Sequence, residues 1–186
     1  MSHRDDLIII ENVLAGNTHA YAHLVDAYKD IAVNLAYNIT LNREDAEEVA
    51  QDAFVKAFTA LRSFKRTAKF STWLYRIVIN TAINKKRQRK IGSIELNEVH
   101  SQAISKDDNS ALPGEIKKHV QLAMQYLNEK ERICITLYYL QEMSVEEINE
   151  VTGYSRANIK ILLYRGRKNL YDLLHKHLKH EISSLI

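Results

Sequence analysis

Apolar residues recur at three-, four- and seven-residue spacing along most of this chain, which predicts helices that each bury one face. Residues 7–14 form an apolar-rich amphipathic segment, and Gly16-Asn17-Thr18 then reads as a break and cap. A second helix is expected from about Thr18 to Thr40, with Ala20, Leu24, Ala27, Ile31, Leu35 and Ile39 on its buried face. Asn42 followed by Asp45 reads as a cap with a first-turn acid. It opens a third helix, Arg43 to Leu61, that buries Ala46, Val49, Ala50, Ala53, Ala57 and Leu61. Arg62 to Phe70 is expected as a short loop, and Ser71 as the cap of a helix reaching about Lys90. Leu74, Val78 and Thr81 should face the core there. Ile79 and Ile83 make this helix apolar on more than one face. Its β-branched run is compatible with a strand, but the cap and the length favour a helix.

Residues 91–112 lose the periodicity, gather Ser, Asn and Asp, and close on Pro113-Gly114, the composition of a flexible connector. Two further helices follow, Glu115–Leu127 and Glu129–Leu140. Ser144-Val145-Glu146-Glu147 is a capping box for a third helix that buries Val145, Ile148 and Val151. Gly153 ends it, and Ser155 caps a fourth from Arg156 to beyond Leu170. A helix, a short glycine-bearing turn and a second helix make a helix-turn-helix. The expected architecture is all-α: a helical domain over 1–91, a linker over 92–113 and a helix-turn-helix domain over 114–186.

Composition narrows the function classes. A hydrophobic content of 46% excludes a wholly disordered chain. Cys134 is the only cysteine, so no intrachain disulfide forms, and its apolar neighbours Ile133 and Ile135 predict a buried, inert thiol. There is no basic-then-apolar leader, and Ile8-Ile9-Ile10 is too short to span a bilayer. A cytoplasmic protein with no membrane partner is expected. His175, His177 and His180 are joined by no Cys or acidic cluster, so no metal site is expected. No phosphate loop, nucleophile elbow or metalloprotease pair is visible, so neither catalysis nor a cofactor is expected.

The net charge is only +3, but it is distributed in blocks. No acid occurs between Asp52 and Glu95, a stretch holding Lys56, Arg62, Lys65, Arg66, Lys69, Arg76, Lys85, Lys86, Arg87, Arg89 and Lys90. Phe58, Phe64, Phe70, Trp73 and Tyr75 lie among them. Uniform positive charge attracts a polyanion, and aromatics add stacking surfaces for unpaired bases. Together they suggest a surface for a separated strand. The alternative is ordinary core aromatics beside a solvated basic face. At 100° per residue, Trp73, Arg76, Asn80, Asn84 and Arg87 share one stripe.

Glu44 and Asp45 are accounted for by the helix dipole, whereas Glu48, Gln51 and Asp52 lie further in and suggest a docking face for a basic partner protein. In the last helix Ile159, Leu162, Leu163 and Gly166 cluster on one side. Ala157, Lys160, Ile161, Tyr164, Arg165 and Lys168 lie opposite, with no acid between Tyr154 and Asp172. Such a helix suits the major groove, where an exposed isoleucine can touch a thymine methyl. A solvated basic helix in an ordinary bundle is the alternative.

Several blocks occur in one order: Tyr28-Lys29-Asp30, Asn42 to Asp52, Phe70 to Ile77 with Asn80, Leu127 to Arg132, Ser144 to Ile148, and Ile159 to Lys168. In these the chain resembles the extracytoplasmic-function (ECF) sigma factors of the sigma-70 family, over nearly its whole length. The resemblance implies a promoter-specificity subunit whose partners are core RNA polymerase, through its beta-prime and beta subunits, and promoter DNA, as duplex and as melted single strand. An anti-sigma factor or other recruiting protein is a further candidate partner. It implies that Asp45, Glu48, Gln51, Asp52 and Val55 bind the polymerase clamp helices. It places minus-ten melting and base capture on Arg62, Phe64, Lys65, Arg66, Thr67, Lys69, Trp73, Arg76, Asn80, Asn84 and Arg87. It places minus-thirty-five recognition on Ser155, Arg156, Asn158, Lys160, Ile161, Tyr164, Arg165 and Lys168. The linker would thread through the polymerase, and no fused regulatory domain is expected.

The chain departs from the family at Ile161-Leu162, where members often carry Ser-Arg, and at Gly166, where alanine is usual. Tyr138-Tyr139 stands where some members place a DNA-contacting arginine. These differences bear on the promoter sequence rather than the fold. Two rivals remain at this level: a stand-alone helix-turn-helix regulator that binds duplex DNA only, and a regulatory protein that sequesters polymerase or another factor.

Overall fold

The computed structural model describes residues 3–92 and 114–184, and every regular element among them is helical. The stretch expected as a linker lies outside the described residues, apart from its first residue, Gly92. The chain divides into two compact units.

The first unit holds α1 (His3–Leu14), α2 (Tyr21–Thr40), α3 (Arg43–Ala60) and α4 (Phe70–Gly92). A 3-10 turn, Thr18–Ala20, leads into α2, and a second, Leu61–Ser63, follows α3. The α2–α3 corner is built as the sequence predicts. Leu41 turns left-handed at φ 56°, its N–H donates to the Tyr37 carbonyl, and the Asn42 side chain accepts from the Asp45 N–H at 2.9 Å. The core is formed by Leu24, Leu35, Ile39, Val49, Leu61, Phe70, Leu74, Val78 and Ile79.

Two local expectations are corrected. The buried face of α2 runs through Leu24, Tyr28, Ala32, Leu35 and Ile39, while Ala27 is exposed and Ile31 half-buried. Tyr28 displaces them because its ring meets Phe70 and Tyr75 and its hydroxyl donates to the buried Asp6 carboxylate at 2.7 Å. Nor does Ser71 cap α4. The helix starts at Phe70, and the Trp73 N–H donates to the Lys69 carbonyl, so Ser71 lies inside the first turn. The fully buried Phe70 ring anchors that start.

The second unit holds α5 (Gly114–Tyr126), α6 (Glu129–Ile135), α7 (Val145–Thr152) and α8 (Arg156–Ser184). The helix expected to reach Leu140 does so, but widens into a π-turn over Thr136–Leu140. Arg132 is buried, and its guanidinium donates to the Met124, Gln125 and Leu127 carbonyls at the end of α5, groups that helix termini leave unsatisfied. The capping box closes in both directions: the Ser144 hydroxyl accepts from the Glu147 N–H, and the Glu147 carboxylate accepts from the Ser144 N–H at 2.9 Å. Gly153, at φ +72°, makes the turn between α7 and α8 that other residues adopt only with strain. Among the described residues no helix is long and apolar enough to cross a membrane.

Candidate nucleic-acid interface

In the first unit, Arg62, Lys65, Arg66, Thr67 and Lys69 are all exposed between α3 and α4. The segment is held down by Phe64, only 8% exposed, whose ring lies 5.3 Å from Trp73 and 5.9 Å from Phe70. Arg66 takes a left-handed backbone at φ 58° and points its guanidinium at Glu11, 2.8 Å away. Along α4, Arg76, Asn80, Asn84 and Arg87 are exposed on the stripe that begins at the half-buried Trp73.

The aromatics are therefore not all open stacking surfaces. Phe70 and Tyr75 are core, Phe64 is a packed foundation, and Phe58 leans on Tyr21 at 5.0 Å. Trp73 is the partly uncovered ring on that foundation. A stretch this apolar must fold onto its own core, so burial claims most of its rings first.

The acids show a second departure. Glu48, Gln51, Asp52 and Val55 are exposed on α3, and Asp45 is half-buried. Blocks of opposite charge that are separate along the chain nonetheless meet in space. Lys85 of α4 meets Glu48 at 2.5 Å, and Arg89, one turn on, pairs with Asp45. The hydrogen bond to Glu48 raises the affinity of Lys85 for its proton, with Asp45 and Asp52 adding to it. Side-by-side packing of α3 and α4 brings these positions opposite one another.

In the second unit, Ile159, Leu162, Leu163 and Gly166 of α8 are buried, while Arg156, Ala157, Lys160, Ile161, Tyr164, Arg165 and Lys168 are exposed. Ser155 and Asn158 form the cap, the hydroxyl accepting from the Asn158 N–H at 3.3 Å. One polar interaction was not legible in the sequence: Arg167 donates to the Tyr139 hydroxyl at 3.2 Å, holding an exposed tyrosine pair beside α8. That pair lies within the π-turn. Among the described residues no group of three or more His, Cys, Asp or Glu could hold a metal ion.

Comparison with known proteins gives two family matches, Sigma-70 region 2 over residues 24–91 and Sigma-70, region 4 over residues 118–170. The ECF RNA polymerase sigma factor SigW of Bacillus subtilis is 33% identical over 87% of this chain and 92% of its own. The chain belongs to the ECF sigma factors of the sigma-70 family. The ECF RNA polymerase sigma-E factor of Escherichia coli is 30% identical over 88% of this chain and 91% of its own. The sigma factor RpoE of Bartonella quintana, solved with the anti-sigma factor NepR, shares the fold, with a TM-score of 0.71 and 22% identity over 83% of this chain and 96% of that one. As a member of this family the chain is a non-enzymatic sigma factor that binds core RNA polymerase and promoter DNA and acts in promoter-directed initiation.

Proposed function

We propose the following division of labour within that sigma factor. Residues 1–91 and 114–186 act as the region 2 and region 4 domains. The exposed side of α8, from Ser155 and Arg156 through Asn158, Lys160, Ile161, Tyr164 and Arg165 to Lys168, reads the minus-thirty-five element from the major groove. Arg62, Lys65, Arg66, Thr67 and Lys69 follow the backbone of the melted minus-ten strand. Trp73, set on Phe64, meets an unstacked base, while Arg76, Asn80, Asn84 and Arg87 line its path. Capturing a base costs a few kcal/mol in lost stacking, which a ring and hydrogen-bonding groups on one stripe can offset. Asp45, Glu48, Gln51, Asp52 and Val55 dock the polymerase clamp helices. The protein works in the cytoplasm, and an anti-sigma factor, of the kind bound to the Bartonella relative, is a natural antagonist.

The observation that supports this best is the stripe on α4. Its four polar members are exposed, and its aromatic member rests on two further rings. Transcription from a promoter library with core polymerase and the full chain tests it. Specific initiation is expected from the wild type, and Trp73→Leu should bind the same promoters without opening them. A wild-type chain that gives no specific transcripts would remove the proposal.

A further inference from the structure

α1 carries none of the residues assigned so far, yet it is fixed on its bundle. Ile10 and Val13 are buried, and the buried Asp6 carboxylate accepts from the Tyr28 hydroxyl at 2.7 Å. The helix packs on α2 and also touches the Leu61–Ser63 turn and α4, which flank the basic segment. Its exposed Glu11 reaches that segment, accepting from Arg66 Nη1 at 2.8 Å across 55 positions of sequence. Residues 62–69 contain no acid of their own, so the fold alone brings a carboxylate to them.

We propose that Glu11 is a positioning residue for the strand path, orienting the Arg66 guanidinium so that its open edge meets a phosphate of the melted minus-ten strand. This rests on the division of labour proposed above, which puts Arg66 on that strand. Arg66 holds a left-handed backbone at φ 58°, which a residue with a Cβ adopts only under strain. Contacts beyond its own backbone must therefore keep it there, and the hydrogen bond to Glu11 is one of them. Among the described residues only Nη1 of the guanidinium is engaged. The other N–H groups of the planar fork are left for a second acceptor. A carboxylate behind the arginine and a phosphate in front of it can thus be bound at once. In water an arginine side chain samples many rotamers. A charge-assisted hydrogen bond that selects one lowers the ordering cost of binding the strand. The pair is solvated, with 42% of the Arg66 and 59% of the Glu11 side-chain surface exposed, so its effect is modest in size.

The test uses holoenzyme of the full chain and core polymerase on a fluorescein-labelled fork-junction DNA that exposes the melted strand. Its sequence is taken from a promoter selected in the library experiment. Glu11→Gln and Glu11→Ala lose the same charge, but only glutamine keeps an oxygen that can accept from Arg66. Glu11→Gln should therefore bind the fork about two- to fivefold more tightly than Glu11→Ala. The salt slope of Glu11→Ala should also lie closer to that of Arg66→Ala than the slope of Glu11→Gln does. In an Arg66→Ala background the gap between the two should close. A gap that survives there belongs to the packing of α1 and overturns the inference. Equal binding by the two variants, or tighter binding by Glu11→Ala, overturns it as well and leaves Glu11 a mere competitor of phosphate. If no promoter is selected, the division of labour falls and the positioning role with it. If promoters are selected and Arg66→Ala binds the fork as tightly as wild type, the positioning role alone is lost.

Discussion

The Lys85 ammonium lies 2.5 Å from the Glu48 carboxylate, across the seam between α4 and α3. Arg89 and Asp45 repeat the pairing one turn along. Both cations lie on the side of α4 turned to α3, away from the strand stripe, so these pairs tie the docking face to its neighbouring helix. Lys85→Gln is expected to unfold in urea close to the wild-type midpoint, because a solvated ion pair contributes little.

Lys65 and Arg66 stand exposed at the tip of the segment before α4. Lys65→Ala and Arg66→Ala should each weaken binding of a melted minus-ten strand. The slope of log affinity against log salt should fall by about 0.7–0.9 for each phosphate no longer neutralised. A titration at four salt concentrations reads this directly, and an unchanged slope would take both residues off the strand path.

Phe64 and Trp73 pack ring against ring but should not behave alike. Phe64 is buried, and Phe64→Ala is expected to cost about 3–5 kcal/mol of unfolding free energy. Trp73 is only half-buried, so Trp73→Leu should unfold in urea near the wild-type midpoint. Permanganate footprinting should nevertheless show loss of the melted bubble in that variant. Normal opening would remove Trp73 from base capture.

Ile161 is 48% exposed on the outer face of α8. Replacing it with Ser should leave stability almost unchanged and alter base preference at one position by about 1–3 kcal/mol. Competition between single-base promoter variants measures this. An equal loss on every sequence would mean the residue only packs.

Burial pushes the Cys134 thiol from its ordinary 9.0 up to about 12, and burial, with Asp6 nearby, pushes the Tyr75 phenol from 10.0 to about 12. The buried Tyr21 and Tyr28 are shifted the same way. The folded state thus keeps protons that the unfolded chain sheds first. Stability is fully present below about pH 9 and is lost as pH rises towards 12. Denaturant midpoints taken from pH 8 upwards should fall in the wild type and fall less in Cys134→Ala/Tyr75→Phe.

Gly166 sits where a Cβ would come within 2.8 Å of Ile135 Cγ1. Alanine is the better helix former by about 1 kcal/mol, yet Gly166→Ala should destabilise, because Ile135 is buried and must move. In an Ile135→Ala background the same change should stabilise. A double-mutant cycle with no coupling would show that Ile135 yields freely.

Most of the second unit was legible in advance. Ser144, Glu147 and Ser155 act through backbone groups three residues away and Gly153 through its own backbone, and such local rules depend little on tertiary context. The buried and exposed sides of α8 also followed from spacing alone. The first unit was read less well where a choice depended on a distant partner. Ala27 and Tyr28 are neighbours that either phase of α2 could bury, and Phe70, Tyr75 and Asp6 decide for Tyr28. Ser71 satisfied the cap rule, but with Phe70 buried the helix starts two residues earlier than that cap would set it.

The order of residues alone established an all-helical chain, a helix-turn-helix in its second half, an acid-free aromatic stretch in its first, and the resemblance to ECF sigma factors. Those properties rest on periodicity, caps and composition, which act along the chain. Tertiary structure decided which of the aromatic rings stay open and which cations are already paired. Both depend on what another helix presents at a few ångströms, as Phe64 does to Trp73 and Glu48 to Lys85. Burial and ion pairing act through space, and spacing along one helix does not specify the side chains of the next.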